Sequence, residues 1–129
     1  MNWIWVALSV AQAAHREQLA EHGGADGVRD QTLLESAMAR PQQLAAYGDP
    51  DLPALAASYA FRIARNHPFV DGNKRTAAVV SETFVILNGY DMPTTSDAEV
   101  AATFIALAAG ELSEYELADW FRQRVVLAT

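Results

Sequence analysis

A chain of 129 residues is long enough for one domain with a sizeable core, and an apolar share of 51% with sparse Gly and Pro means that it folds. The absence of cysteine excludes disulfides and thiolate zinc sites. A formal charge of −7 argues against nucleic acid as the main partner, because phosphate backbones require clustered Lys and Arg.

The apolar run Met1 to Leu8, followed by Ala11-Gln12-Ala13, imitates a secretory leader. It lacks the positive start and is short, so it reads as part of the domain. Residues 1–8 are expected as a short extended segment and residues 9–126 as the core. Helix one spans about Ser9 to His22, with Ser9 and Gln12 as a capping box and Gly23-Gly24 as its stop. Asp30 caps helix two, which carries Leu33, Leu34, Ala37 and Met38 inward and stops before Pro41. Gln42 to Pro53 reads as a loop with a turn at Gly48-Asp49-Pro50-Asp51. Helix three runs from about Ala54 to Asn66, with Leu55, Tyr59 and Ile63 on one face and Ser58, Arg62 and Arg65 on another.

After a polar loop comes helix four, about Asn73 to Asn88, ended by Gly89. Its stripe of Ala77, Val80, Phe84 and Leu87 is widened by Val79, Thr83 and Ile86, as in a buried central helix. Tyr90 to Thr95 is a connector, and Ser96 or Asp97 caps helix five, which ends at Gly110. Ser113 and Glu116 form a capping box for helix six, which ends near Val126. Trp3, Trp5 and Trp120 read as packing residues. With no repeat, no linker and no stretch long enough for a membrane, residues 1–129 read as a single all-α domain of about six helices.

The chemistry concentrates in Asn66-His67-Pro68-Phe69-Val70-Asp71-Gly72-Asn73-Lys74-Arg75-Thr76. Pro68 disfavours helix at His67, so helix three stops there. Gly72 permits a sharp turn or a close approach to a ligand. The free N–H groups at the start of helix four, its dipole, Lys74 and Arg75 together suit a phosphate. Asp71 is a hard oxygen ligand fit for Mg²⁺, and His67 can take a proton from a hydroxyl. Each residue also has a plainer role. His67 can cap carbonyls, Asp71 can be an N-cap, Asn73 can cap or touch the ligand, and Arg75 can pair with an acid. Arg62 and Arg65 are either solvated or substrate contacts, His15 with Arg16 is similarly open, and His22 reads as a helix-terminal cation. Arg62, Arg65, Lys74 and Arg75 are four of nine basic residues, Lys74 is the only lysine, and Thr76 to Phe121 holds eight acids and no base. Cations gathered against an acidic background favour a small anionic ligand.

His67-Pro-Phe-x-Asp-Gly-Asn-x-Arg75 resembles the signature of Fic-domain proteins, and Lys74 with Thr76-Ala77 makes it most similar to death-on-curing (Doc) toxins. The resemblance extends from about His15 to Arg124 and includes His22-Gly23-Gly24, Leu33-Leu34-Glu35-Ser36-Ala37 and Ala109-Gly110-Glu111-Leu112-Ser113. It implies a Fic-type helical domain. It also implies His67, Asp71 and Arg75 as catalytic residues, Gly72, Asn73, Lys74, Arg75 and Thr76 on ATP, and Asp71 on Mg²⁺. Fic proteins that transfer AMP continue Gly-Asn-Gly-Arg-x-x-Arg, whereas here Lys74 and Ala78 stand at the second glycine and second arginine. Resemblance to Doc toxins therefore implies inverted ATP and γ-phosphate transfer to a threonine of translation elongation factor Tu, in the cytoplasm, under an antitoxin with a disordered tail. The alternatives are AMP transfer and a non-catalytic nucleotide- or partner-binding protein; the acidic charge speaks against an RNase. The inhibitory Ser/Thr-x-x-x-Glu-Gly/Asn motif of many Fic proteins has its nearest match at Thr95 to Glu99, followed by Val100 and out of place.

Overall fold

In the computed structural model, which describes residues 2–129, the helices are α1 (Leu8–His22), α2 (Gln31–Tyr47), α3 (Leu52–Asn66), α4 (Asn73–Leu87), α5 (Asp97–Ala108) and α6 (Glu114–Arg122). Met1 of the expected N-terminal segment lies outside the described residues. The expected all-α domain is therefore present, with one addition. Strands β1 (Tyr90–Asp91) and β2 (Val126–Leu127) form an antiparallel ribbon, Tyr90 opposite Leu127 and Asp91 opposite Val126.

Local capping chemistry sets most boundaries. Asp30 accepts from the Leu33 N–H at 3.0 Å, Ser96 from the Glu99 N–H at 3.1 Å, and Ser113 and Glu116 close their box at 3.0 Å each. Four expectations change. α1 begins at Leu8 on an Ala7 N-cap with no side-chain cap bond, so Ser9 is inside the helix. Its entry is fixed instead by Val6, buried, whose N–H donates to the Tyr59 hydroxyl at 3.1 Å. α2 continues through Pro41 to Tyr47. Proline removes one rung of the helix ladder, but Pro41 is buried with Leu34, Ala37 and Met38, and that packing overrides the local preference. α3 starts earlier than expected, at Leu52, because Asp51 caps it, accepting from the Ala54 N–H at 3.0 Å. α6 stops at Arg122, because Val126 is drawn into the ribbon.

α3 packs against α2, α4, α5 and α6, and α4 packs against α1, α3 and α5. Both helices are central, and α3 is the more enclosed, with Leu55, Tyr59, Ala60, Ile63 and Ala64 fully buried. On α4, Ala77, Val80, Phe84 and Val85 face the core, while Ile86 and Leu87 are exposed. Phe84 gathers the aromatic residues: Trp3, Trp5 and Tyr59 lie 6.0, 5.8 and 5.3 Å from its ring centre. Such pairs add about 0.5–1.5 kcal/mol each beyond burial, so the N-terminal segment belongs to the core. Trp120 packs edge-on against Phe104 and Phe121.

Candidate active site

The loop between α3 and α4 is held by partners distant in sequence. α3 ends at Asn66, and His67 adopts φ 49° and ψ 58°, left-handed, the only positive φ outside glycine among the described residues. Pro68 bars a further helical residue at that position. A left-handed non-glycine residue costs about 1–2 kcal/mol, so neighbours must impose it. Arg29 donates from Nε to the His67 carbonyl and from Nη2 to the Asn66 carbonyl, both at 2.6 Å. The Pro68 carbonyl accepts from the Arg29 and Asp30 N–H groups at 2.8 and 3.0 Å, and Val70 N–H donates to Gly27 at 3.0 Å. Val28 and Phe69 thereby form an antiparallel bridge.

Beneath the loop, Phe69 is buried and stacks on the His15 ring at 3.8 Å and 9°. The His15 Nε2 lies 2.8 Å from the Asp71 carbonyl; a carbonyl only accepts, so this nitrogen carries the proton. Asn73 is buried and hydrogen-bonds both the N–H and the carbonyl of Phe69 at 3.0 Å. Its amide is thus committed to loop shape, and only its backbone N–H is left for a ligand.

A cleft of about 650 Å³ opens above this loop. His67, Asp71, Gly72, Asn73, Lys74 and Arg75 form its floor, His22 and Gln18 its α1 edge, and Val100, Ala101, Phe104 and Ile105 its α5 wall. Gly72, at φ +76°, is the N-cap of α4 and offers no side-chain bond. The N–H groups of Asn73, Lys74 and Arg75, the first helical positions, have no intrahelical partner. Lys74 and Arg75 are exposed and form no ion pair among the described residues. Asp71 is not the N-cap; its Oδ1 accepts from the Gly72 N–H at 2.9 Å and its Oδ2 from the Ala25 N–H at 3.4 Å. A Cβ at Gly24 would stand 2.8 Å from that Oδ2, and the φ of +123° there strains any side chain, so glycine suits the place beside the carboxylate.

Three sequence candidates lie off the floor. Thr76 is buried and its hydroxyl has no protein partner. Arg62 and Arg65 do not line the cleft. Their guanidinium groups lie over Phe61, 5.8 and 5.3 Å from its ring centre, and Arg62 is 3.9 Å from Glu114. Sequence reading passed over Arg29, His15's link to Asp71, Gly24, and the acids Glu82 and Asp97 at the far end of the cleft. Glu82 carried a signal, the single charge of α4 between Thr76 and Leu87; Arg29 carried none.

Burial pushes the Glu82 carboxyl above its usual range, and the negative charge of Asp97 adds to this. A raised folded pKa gives stability that is full below the unfolded value and lost as pH rises through the folded one. Glu82→Gln is therefore expected to raise Tm by about 2–5 °C near neutral pH, with the gain vanishing near pH 4. Thermal unfolding of both proteins at the two pH values checks this.

The described residues hold no cluster of three His, Cys, Asp or Glu side chains for a metal ion. An ion on Asp71 alone would take its other ligands from a bound phosphate and water, as Mg²⁺ does. The exposed, unpaired Asp71 carboxylate beside three open N–H groups fits that division.

The sequence pattern described as the Fic/DOC family matches residues 5–85. "Toxin Doc" of Mycolicibacterium smegmatis (strain ATCC 700084 / mc(2)155) is 44% identical over 82 residues, 61% of this chain and 62% of that protein's length. "Protein kinase doc" of Escherichia phage P1 is 35% identical over 115 residues, 86% of this chain and 87% of that protein.

Proposed function

The chain belongs to the Fic/DOC family, and we propose that it is the toxin of a toxin–antitoxin pair, moving the γ-phosphate of ATP onto a Ser or Thr hydroxyl of a protein. Elongation factor Tu is the proposed acceptor, the cytoplasm the proposed setting, and an antitoxin with a disordered tail the proposed inhibitor. The names of the two relatives, a toxin and a protein kinase, support the class of activity. No helix among the described residues is long and apolar enough to cross a membrane.

The observation that carries the choice of phosphate is the charge along the cleft. The positive end holds Lys74, Arg75 and the open start of α4. One turn further along α4 stands Ala78, and beyond it Glu82 and Asp97. AMP transfer would put the α-phosphate on the α4 start and run the two remaining phosphates onward. In this chain they would run past a methyl group into two acids. With the γ-phosphate at the α4 start, no phosphate need extend past Ala78 toward Glu82 and Asp97. Phosphoryl transfer needs little covalent work from a protein beyond positioning and charge stabilisation. His67 would orient and deprotonate the acceptor hydroxyl, and the N–H groups of residues 73–75 with Lys74 and Arg75 would hold the transferring phosphate. Mg²⁺ on Asp71 would offset phosphate charge.

The segment nearest an inhibitory motif has another duty. Ser96 caps α5, and Glu99 is paired with Arg124, away from the cleft. Inhibition is therefore assigned to a second chain.

ATP labelled separately on the α- and γ-phosphates tests the reading. Label from the γ-position alone is expected on the acceptor; label from the α-position alone would replace kinase by AMP transfer. Lys74→Gly with Ala78→Arg is expected to shift the product from phosphate toward AMP, read by mass spectrometry. The glycine opens the N–H nest, and the arginine supplies a bidentate donor inside the cleft wall, where Ala78 already sits. A double variant that remains an unchanged kinase would mean that these positions do not set ATP orientation.

A further inference from the structure

We propose that Arg29 is a positioning residue for the transfer, the group that holds His67 in its left-handed backbone conformation over the cleft. This rests on the reading of His67 as the base. A helix ending in a left-handed residue commonly uses glycine there, and its last carbonyls lack intrahelical partners. α3 ends in histidine instead, and Arg29 takes the carbonyls of Asn66 and His67 with two separate N–H donors at 2.6 Å. These are charge-assisted bonds in the fork geometry that only arginine offers, and the cation also complements the negative end of the α3 dipole.

Two further facts turn a cap into a positioning device. The His67 side chain has no hydrogen bond to the protein among the described residues, so its place over the cleft depends on its backbone. Arg29 forms no ion pair with an acid there either, so both of its recorded side-chain bonds go to this turn. Arg29 is itself fixed, because its own N–H donates to Pro68 at 2.8 Å within the strap of residues 27–30. The strap therefore measures the height of the loop, and Arg29 sets the twist of its first residue.

The test uses the full chain with Arg29→Ala, Arg29→Gln and Arg29→Lys. Steady-state phosphate transfer gives kcat and KM for ATP. Separately, nuclear magnetic resonance follows the His67 ring and the 67–70 amides, assigned by comparison with His67→Ala. Arg29→Ala is expected to lower kcat about 10- to 100-fold while KM for ATP stays within about twofold, since small misplacements at a reacting centre cost that much. The His67 signals should shift or broaden. Lysine, a single point donor, should recover only part of kcat. Should the alanine variant not fold, the glutamine and lysine variants carry the same expectation. A kcat within about twofold of wild type with unmoved His67 signals would overturn the proposal. So would a loss of kcat and ATP binding together in step with a large fall in Tm, the mark of a merely structural cap. If wild type transfers no phosphate, the reaction proposed above fails. The resonance comparison then decides the clamp alone, unmoved His67 signals overturning it and displaced ones supporting it.

Discussion

His67→Ala is expected to remove at least two to four powers of ten in transfer rate, the usual contribution of a positioned general base, and with it any growth arrest on expression. The fold should not notice. The ring is exposed and without protein hydrogen bonds, and the Arg29 bonds reach backbone carbonyls that alanine retains. Exposed substitutions of this kind change stability by about 0.5 kcal/mol or less. His67→Gly sharpens the contrast. Glycine adopts the left-handed conformation without strain, so this variant should be as stable as wild type or more so, and as inactive as alanine. Transfer assays and thermal unfolding on the three proteins measure both halves. Equal toxicity of wild type and His67→Ala would remove the motif from the chemistry altogether.

Asp71→Asn should be nearly as damaging for a different reason. An amide oxygen in place of Oδ1 still accepts from the Gly72 N–H, and only the long bond from the Ala25 N–H to Oδ2 is lost, so the turn survives. Gly72 rather than Asp71 caps α4, so no helix cap is lost. What disappears is the charge that would hold Mg²⁺ beside the phosphates. Loss of about a hundredfold or more at ordinary Mg²⁺ is expected, recovering in part as Mg²⁺ is raised, with Tm close to wild type. Full transfer at ordinary Mg²⁺ would end the metal role. Gly24→Ala is a second route to the same end. A methyl group 2.8 Å from Oδ2 must push the carboxylate aside while leaving its charge in place, and alanine at φ +123° is expected to lower Tm as well.

What was legible in the sequence was local. The caps at Asp30, Ser96 and Ser113 have partners three residues away, and spacing reveals them. The sequence of the loop likewise put His67, Asp71, Lys74 and Arg75 around one helix start, and all four line the cleft. Errors came where a distant contact outweighed a near one. Pro41 looked like a stop because its burial against the core is invisible to its neighbours in sequence. The surroundings of Arg62 and Arg65 were simply left open by the sequence: both guanidinium groups lie over Phe61, and Arg62 also meets Glu114. Arg29 lies 38 residues from His67, and no periodicity links the two.

Both ends of the chain are fastened at the far end of α4. The Ile4 backbone exchanges hydrogen bonds with the Asn88 side chain at 2.9 and 3.0 Å, and Ala128 N–H donates to Gly89 at 2.9 Å. The cleft begins at the other end of the same helix, about 20 Å away at 1.5 Å per residue. A purification handle, fluorophore or surface linker attached near Ile4 or Ala128 therefore starts from the far end of α4 and not from the His67 loop. The proposed acceptor and inhibitor can then be offered to a tethered molecule from the loop end of α4.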